Sequence, residues 1–139
     1  MILHALVVNT LLNPLNITNI YDTINHITSH TQELTVEKIA FVMKLKPGNE
    51  AEYKKRHDEI WPELAETLKQ AGVSDYSIFL EKSSCKLFGV LKRTANHDMD
   101  NLPLDPIVKK WWAYMADIME THADNSPVAE DLDLVFHLE

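Results

Sequence analysis

The stretch Lys38-Ile39-Ala40-Phe41-Val42-Met43-Lys44-Leu45-Lys46, followed by Pro47-Gly48, decides the fold class of this chain. Every second side chain in it is apolar, namely Ile39, Phe41, Met43 and Leu45. Side chains alternate across a strand, so this pattern predicts a β-strand with one buried face. Proline lacks a ladder donor and glycine permits turns, so we expect the strand to end at Pro47-Gly48.

The sequence after this strand predicts six further elements. Residues 50–71 have helical composition, but Pro62 divides them, because proline suits a first helical turn and not a helix interior. Asn49 is a candidate N-cap for the first of these helices. The expected elements are a helix to about Asp58, a helix from near Trp61 to Gly72, a hairpin of strands 74–82 and 85–93 around Ser83-Ser84, a helix over 107–119, and a strand through Leu132, Leu134, Phe136 and Leu138.

The order of these elements is β-α-β-β-α-β, with the two helices beside Pro62 counted as one helical region. This order predicts an α+β fold with a ferredoxin-like antiparallel sheet and helices on one face only. The other face needs a cover, and unless the first 37 residues serve, a second copy of the same sheet provides one. We therefore expect a homodimer with face-to-face sheets, a dimeric α+β barrel.

Composition and charge limit what kind of protein this is. The chain has 139 residues, a mass of 16.0 kDa and a net charge of −8. An acidic chain does not favour phosphate-rich partners, so we expect no nucleic-acid partner and no membrane. No apolar run approaches the roughly 18 residues of a membrane span. Cys85 is the only cysteine, which fits a cytoplasmic protein, and we interpret it as an inert thiol.

The first 37 residues differ in composition from the rest. They contain no Lys or Arg, and all 13 basic residues lie from Lys38 onward. They lack the basic residues that signal and transit peptides carry. His26 and His30 are four residues apart, but a metal site needs three or four ligands, so we expect no metal site here. We interpret residues 1–37 as a weakly ordered extension or a mis-assigned start, and residues 38–139 as the functional domain.

Tyr53 and His57 are the first candidates for a functional site. They are four residues apart on a predicted helix, so both side chains lie on one face, and Trp61 would extend the row if the helix continued. Histidine exchanges protons near neutrality, and tyrosine is a good hydrogen-bond donor. The pair suits a polyhydroxylated ligand, but residues that pack a helix against a sheet show the same spacing. We expect Glu52 and Arg56 to form a solvated ion pair.

Three more aromatic residues are candidates for ligand contact. Trp111 and Trp112 are adjacent, so they point about 100° apart on a helix, and at most one faces the core squarely. Tyr76 shares a strand face with Ile78 and Leu80. Aromatic rings suit sugars, because they cover C–H faces while a Tyr hydroxyl or a Trp N–H reaches an oxygen. Core or dimer contacts are the alternative role for the tryptophans.

Three segments together resemble the L-rhamnose mutarotase family. They are Ala40-Phe41-Val42-Met43, Glu52-Tyr53-Lys54-Lys55-Arg56-His57 with Ile60-Trp61-Pro62-Glu63-Leu64, and Trp111-Trp112-Ala113-Tyr114-Met115 with Asp117-Ile118-Met119. The resemblance runs from about residue 38 to the end of the chain. It is weak over residues 94–106, and Lys110 stands where an Arg is usual.

The resemblance implies an isomerase, an aldose mutarotase that interconverts the α and β anomers of L-rhamnose without a metal or an organic cofactor. It implies that His57 is the proton donor and that Tyr53, Tyr76, Trp111 and Trp112 contact the sugar. The complementary base stays unassigned. Residues 1–37 have no counterpart in the family, and we expect the mutarotase domain to have its true start at a GUG codon for Val36.

Two other function classes fit the same features. The dimeric fold also hosts haem-degrading and cofactor-free monooxygenases, and fold alone does not choose among these activities. In the haem-degrading case, His57 would ligate iron. A non-enzymatic module would bind a small ligand such as the sugar and leave anomer exchange at its rate in solvent.

Overall fold

The computed structural model describes residues 35–139, and within them the predicted β-α-β-β-α-β order is confirmed. The elements are β1 (Val36–Lys44), α1 (Glu50–Asp58), α2 (Pro62–Gln70), β2 (Val73–Glu81), β3 (Lys86–Thr94), a 3-10 helix (Met99–Leu104), α3 (Pro106–Met115) and β4 (Ala129–Leu132). The predictions for residues 1–34, including the extension and His26 with His30, lie outside the described residues. No helix within residues 35–139 is long and apolar enough to cross a membrane.

The strands form one antiparallel sheet in the order β2-β3-β1-β4. The alternation that began the sequence argument is confirmed, because Met43 and Leu45 belong to the buried core and Phe41 packs against it. The paired strand β3 contributes Leu87 to the same face. All three helices contribute side chains to this core, so the cavity described below lies between the helices and one face of the sheet.

Local sequence explains where the helices begin. Trp61 precedes Pro62 and has extended backbone angles (φ −65°, ψ 129°), as the residue before a proline prefers, and α2 begins at Pro62. The carboxylate of Asp105 accepts a hydrogen bond from the Ile107 backbone N–H (2.8 Å) and so caps α3. The prediction for Asn49 is half right. It stands at the N-cap of α1, but its side chain makes no capping bond and donates instead to the Lys46 carbonyl (3.0 Å).

The last helix is shorter than predicted. It ends at Met115 and not at residue 119, because the chain beyond it pairs with the end of β1. The Lys46 backbone N–H donates to the Ile118 carbonyl (2.9 Å), and the Glu120 N–H donates to the Lys44 carbonyl (3.0 Å). These bonds replace helical bonds and bring Ile118 and Met119 into the core.

The prediction of a strand through Leu138 is wrong beyond Leu132. Strand β4 pairs with β1 only from Ala129 to Leu132, and residues 133–139 have no regular secondary structure. A strand needs a neighbour to satisfy its backbone groups, and pairing with β1 stops at Leu132. Large apolar side chains in this segment are exposed, among them Phe136 (76%) and Leu138 (79%).

A β-bulge lies where β2 passes the cavity. Asp75 and Tyr76 together lie opposite the single residue Leu91, and Asp75 has a left-handed backbone (φ 47°). The Asp75 carboxylate pairs with Lys92 of the neighbouring strand at 3.0 Å. Without the extra residue, Val73 and Tyr76 would point to opposite faces of the sheet. The bulge therefore places both side chains on the face that the helices cover.

A glycine in β3 makes room for an aromatic ring behind Tyr76. Gly89 pairs with Phe41, and a Cβ atom on Gly89 would lie 2.5 Å from the Phe41 ring. The Phe41 ring in turn contacts the Tyr76 ring, with centroids 6.1 Å apart. The Phe41 ring thus packs on the bare backbone of Gly89 and contacts the Tyr76 ring.

We expect Gly89→Ala to lower the free energy of unfolding by about 1–3 kcal/mol, because the Phe41 ring must move. Chemical denaturation of the purified protein measures this loss. Phe41→Leu makes space at the same contact, so the double variant should lose less stability than the sum of the two single variants. Additive losses would show that the ring and the glycine do not act on each other.

Candidate active site

A cavity of about 820 Å³ lies between the helices and the sheet. All five residues singled out from the sequence line it: Tyr53 and His57 from α1, Tyr76 from β2, and Trp111 and Trp112 from α3. The i,i+4 spacing on α1, the strand alternation of Tyr76 and the adjacent tryptophans of α3 thus converge on one space. The structure brings these five side chains together.

His57 is held in a defined orientation by its own helix. Its Nδ1 lies 3.0 Å from the Tyr53 carbonyl oxygen, and its ring stacks on the Tyr53 ring with centroids 4.2 Å apart. A carbonyl only accepts, so Nδ1 carries the proton of this hydrogen bond. The neutral imidazole then has its lone pair on Nε2, which is the nitrogen that remains to exchange a proton with a ligand.

Burial lowers the pKa of His57 below its ordinary value of 6.5. The Tyr53 carbonyl and the Asp58 carboxylate act in the opposite direction but are weaker than the burial. At neutral pH the imidazole is therefore mostly uncharged. A buried neutral histidine starts as a base, and once protonated it is a stronger acid than an ordinary imidazolium.

Two phenols line the cavity together with this imidazole. Tyr53 is buried (8% exposed), and burial together with the neighbouring Tyr76 raises its pKa well above the ordinary value of 10. Tyr76 is 39% exposed as a residue, yet burial around its hydroxyl raises its pKa to about 12. Both hydroxyls therefore stay protonated at neutral pH and can donate hydrogen bonds to ligand oxygens.

The two tryptophans divide their roles as their 100° separation predicts. Trp111 is buried (8% exposed) and its ring meets the His57 ring edge-on, with centroids 5.3 Å apart. Trp112 is only partly buried and lines the cavity from its edge. Trp111 therefore lies against the histidine, whereas Trp112 lies in a partly exposed part of the cavity wall.

Trp61 does not extend the row of Tyr53 and His57, because α1 ends at Asp58. Its indole packs instead against Trp111 (5.1 Å between ring centroids) and Tyr114 (5.5 Å). These contacts form a cluster of three aromatic rings behind the cavity wall. Tyr114 was not singled out from the sequence, although its place in the Trp-Trp-x-Tyr segment is a signal that could have drawn attention to it.

The prediction of a solvated ion pair between Glu52 and Arg56 is wrong in one respect. The pair forms at 2.8 Å, but the Arg56 side chain is only 11% exposed and also binds the carboxylate of Asp117. A helical spacing shows only partners on the same helix, so sequence reasoning could not find the partner after α3.

The cavity has charged side chains as well as an apolar region. Met43 of the apolar region was predicted from the alternation in β1, whereas the charged residues were not identified from the sequence. Lys54 and Asp58 form an ion pair at 2.6 Å beside His57. The remaining charged lining residues are Glu50 and Lys82. Core side chains form the apolar region, namely Met43, Leu87, Met115 and Met119. Within residues 35–139, no group of three or more His, Cys, Asp or Glu side chains could hold a metal ion.

Residues 38–138 match the family model for L-rhamnose mutarotase. The chain belongs to the L-rhamnose mutarotase family. A protein from Rhizobium johnstonii named L-rhamnose mutarotase is 62% identical over 105 residues, which are 76% of this chain and 99% of the relative. One of the same name from Jannaschia sp. is 63% identical over 103 residues, which are 74% of this chain and 99% of the relative.

A solved structure agrees with these relatives. The L-rhamnose mutarotase of Formosa agariphila is 48% identical and superposes with a TM-score of 0.69, over 74% of this chain and 99% of that chain. The family assignment made from the sequence motifs is thus confirmed, as is the α+β fold. The chain is an enzyme of the aldose mutarotase class, an isomerase that acts on a carbohydrate. The monooxygenase and the non-enzymatic alternatives are not favoured.

We expect His57 to titrate below its ordinary pKa of 6.5 in the folded protein, and nearer to that value when urea unfolds the chain. Between the two pKa values the unfolded state holds more protons, so the free energy of unfolding should fall as the pH drops below about 6.5. NMR of the imidazole protons follows the titration, and His57→Gln should remove this part of the pH dependence. A folded-state pKa at or above the urea value would show that burial does not control this group.

Proposed function

We propose that this chain interconverts the α and β anomers of L-rhamnose in the cavity, with His57 as the group that carries the proton. The observation that supports this most directly is the anchored imidazole, whose Nδ1 is bound to the Tyr53 carbonyl while Nε2 is left for a ligand. The sugar itself is inferred from relatives that are named L-rhamnose mutarotase.

Ring opening needs one proton removed from the anomeric hydroxyl and one delivered to the ring oxygen. In the proposed sequence, neutral His57 accepts the hydroxyl proton at Nε2, and the imidazolium then donates a proton to the ring oxygen as the bond from C1 to that oxygen breaks. The open aldehyde rotates about C1–C2, and the same two transfers run in reverse on its other face. His57 is thus the proton donor towards the ring oxygen, and the same nitrogen serves as the complementary base that the sequence left unassigned.

The other four residues are proposed to bind the sugar. The Tyr53 and Tyr76 hydroxyls are raised in pKa and so remain donors towards sugar oxygens. Trp112 is partly buried and can cover a C–H face of the ring, while Trp111 lines the same cavity, where it can contact the sugar, and meets the imidazole ring edge-on. Mutarotation transfers a proton and no electrons, so this mechanism uses neither a metal nor an organic cofactor.

We place the reaction in the cytoplasm, which suits the free, buried thiol of Cys85.

We expect His57→Ala to lower kcat by about 10²–10⁴-fold, the usual contribution of a positioned acid–base group. Trp112→Ala should mainly raise KM, because ring contact acts in the ground state and the transition state alike. Exchange NMR between the two anomers measures both constants. An unchanged kcat in His57→Ala would remove this residue from the mechanism, and a Trp112→Ala variant with a lower kcat at unchanged KM would contradict its binding role.

We also propose that the chain forms a homodimer through the face of its sheet that no element within residues 35–139 covers. Strand alternation puts Ala40, Val42, Phe88 and Val90 on this face, opposite the side chains that meet the helices. Phe79 joins them from β2 and is 62% exposed. An apolar sheet face of this kind favours a partner. The exposed apolar residues after Leu132 form a second surface that the same subunit can bury against its partner.

We expect the wild-type protein to sediment at about twice its monomer mass of 16.0 kDa. Phe79→Glu places a charge within the proposed interface and should give the monomer mass. Leu104→Glu is the matched control, since Leu104 is equally exposed (68%) but lies on the 3-10 helix. A wild-type monomer, or a Phe79→Glu variant that stays dimeric, would contradict this interface.

A further inference from the structure

Arg56 makes more polar contacts than an ion pair on one helix would need. Its Nε donates to Glu52 on α1 (2.8 Å), and its Nη1 donates to the Tyr114 carbonyl on α3 (2.6 Å). The carboxylate of Asp117, just after α3, accepts from both Nη atoms, at 2.7 and 3.1 Å. The guanidinium also lies over the Tyr114 ring, 4.4 Å from its centroid. One nearly buried side chain thus joins α1 to the end of α3.

These contacts reach His57 along two short routes. The first is covalent, because Arg56 precedes His57 in α1. The second passes through rings: Tyr114 contacts Trp111 with centroids 5.7 Å apart, and Trp111 contacts His57 at 5.3 Å. The helix that carries the imidazole and the indole that supports it are therefore fixed to each other by the same guanidinium.

We propose that Arg56 is a positioning residue, which ties α1 to the end of α3 through Asp117 and the Tyr114 carbonyl and so keeps the His57 ring against Trp111. This inference rests on the proposed role of His57 in the proton transfer. A catalytic group that is displaced by about 1 Å can cost on the order of 10²-fold in rate, so the tie between the helices matters to the chemistry.

The geometry of the contacts requires a guanidinium and not simply a positive charge. A lysine ammonium is a single point on a flexible stem, and it cannot reach Glu52, the Tyr114 carbonyl and both oxygens of Asp117 together. The charge of Arg56 is also neutralised locally, since it lowers the pKa of the Asp117 carboxyl. Three contributions shift the pKa of His57, namely its burial, the Tyr53 carbonyl and the Asp58 carboxylate. Arg56 is not among them, so its proposed effect on His57 is an effect on the position of the ring.

The test uses three single variants of the full chain. Arg56→Lys keeps the positive charge and removes the planar guanidinium with its several donors. Asp117→Ala removes the carboxylate that follows α3 and leaves the contacts of Arg56 with Glu52 and Tyr114. Asp117 is 62% exposed, so this second variant folds even if the first one does not. Arg93→Lys is the matched control, because Arg93 also holds a carboxylate with two nitrogens (Glu37, 2.9 and 2.8 Å) but joins β3 to β1 and involves neither α1 nor α3.

We expect Arg56→Lys to lower kcat by about 10- to 100-fold, with a smaller change in KM, and Asp117→Ala to lower it less. The double variant Arg56→Lys/Asp117→Ala should have the same kcat as Arg56→Lys alone, because both changes break the same link between α1 and the end of α3. In NMR spectra, the nuclear Overhauser contact between the His57 and Trp111 rings should weaken in both single variants. Arg93→Lys should match the wild type in every measurement.

Two results would overturn the proposal. One is a kcat in Arg56→Lys and Asp117→Ala that equals that of Arg93→Lys in folded protein. The other is a lower kcat with an unchanged ring contact between His57 and Trp111, which would mean that the histidine has not moved. His57→Ala measured in parallel separates this inference from the proposed function: wild-type activity there removes the role of His57 itself, whereas lost activity there with full activity in Arg56→Lys removes only the positioning role.

Discussion

The hydrogen bond from His57 Nδ1 to the Tyr53 carbonyl determines which ring nitrogen of the imidazole can exchange a proton with a ligand. The acceptor is a backbone atom of the same helix, so its position follows from the i,i+4 geometry of α1 and needs no other element. With Nδ1 occupied, proton exchange is confined to Nε2. The stacked Tyr53 ring and the edge-on Trp111 ring then restrict the remaining rotation of the histidine. The rest of the site consists of side chains placed around this one fixed nitrogen.

Burial has two opposing consequences for the chemistry. It lowers the pKa of His57, which keeps the imidazole neutral and able to accept a proton near neutral pH. It also makes the imidazolium, once formed, more ready to give the proton up. A group that must both take and return a proton in each turnover benefits from both effects, provided that its pKa is not far from the working pH. The same burial raises the pKa values of Tyr53 and Tyr76, so the neighbouring phenols donate hydrogen bonds and do not compete as bases.

Much of this arrangement follows from local sequence patterns. Alternation in β1, the break at Pro62, the Tyr53–His57 spacing and the 100° between Trp111 and Trp112 each depend on backbone geometry alone, and the structure agrees with all four. What the sequence did not show depends on contacts between distant segments. Arg56 meets Asp117 across 61 residues, the bulge at Asp75 depends on the register against β3, and α3 stops early because Ile118 and Glu120 bond to the end of β1. The final strand was predicted from Leu132 to Leu138 but lies at Ala129–Leu132, because alternation indicates an extended chain but not whether a neighbouring strand is there to pair with it.

The most direct measurement of the central claim is the tautomer of His57, read from long-range ¹H–¹⁵N NMR of the neutral protein with and without L-rhamnose. We expect the proton on Nδ1, the lone pair on Nε2, and a shift confined mainly to the Nε2 resonance when the sugar is added. A proton on Nε2 in the free enzyme, or an Nε2 resonance that ignores saturating L-rhamnose, would contradict the assignment of this nitrogen as the proton carrier.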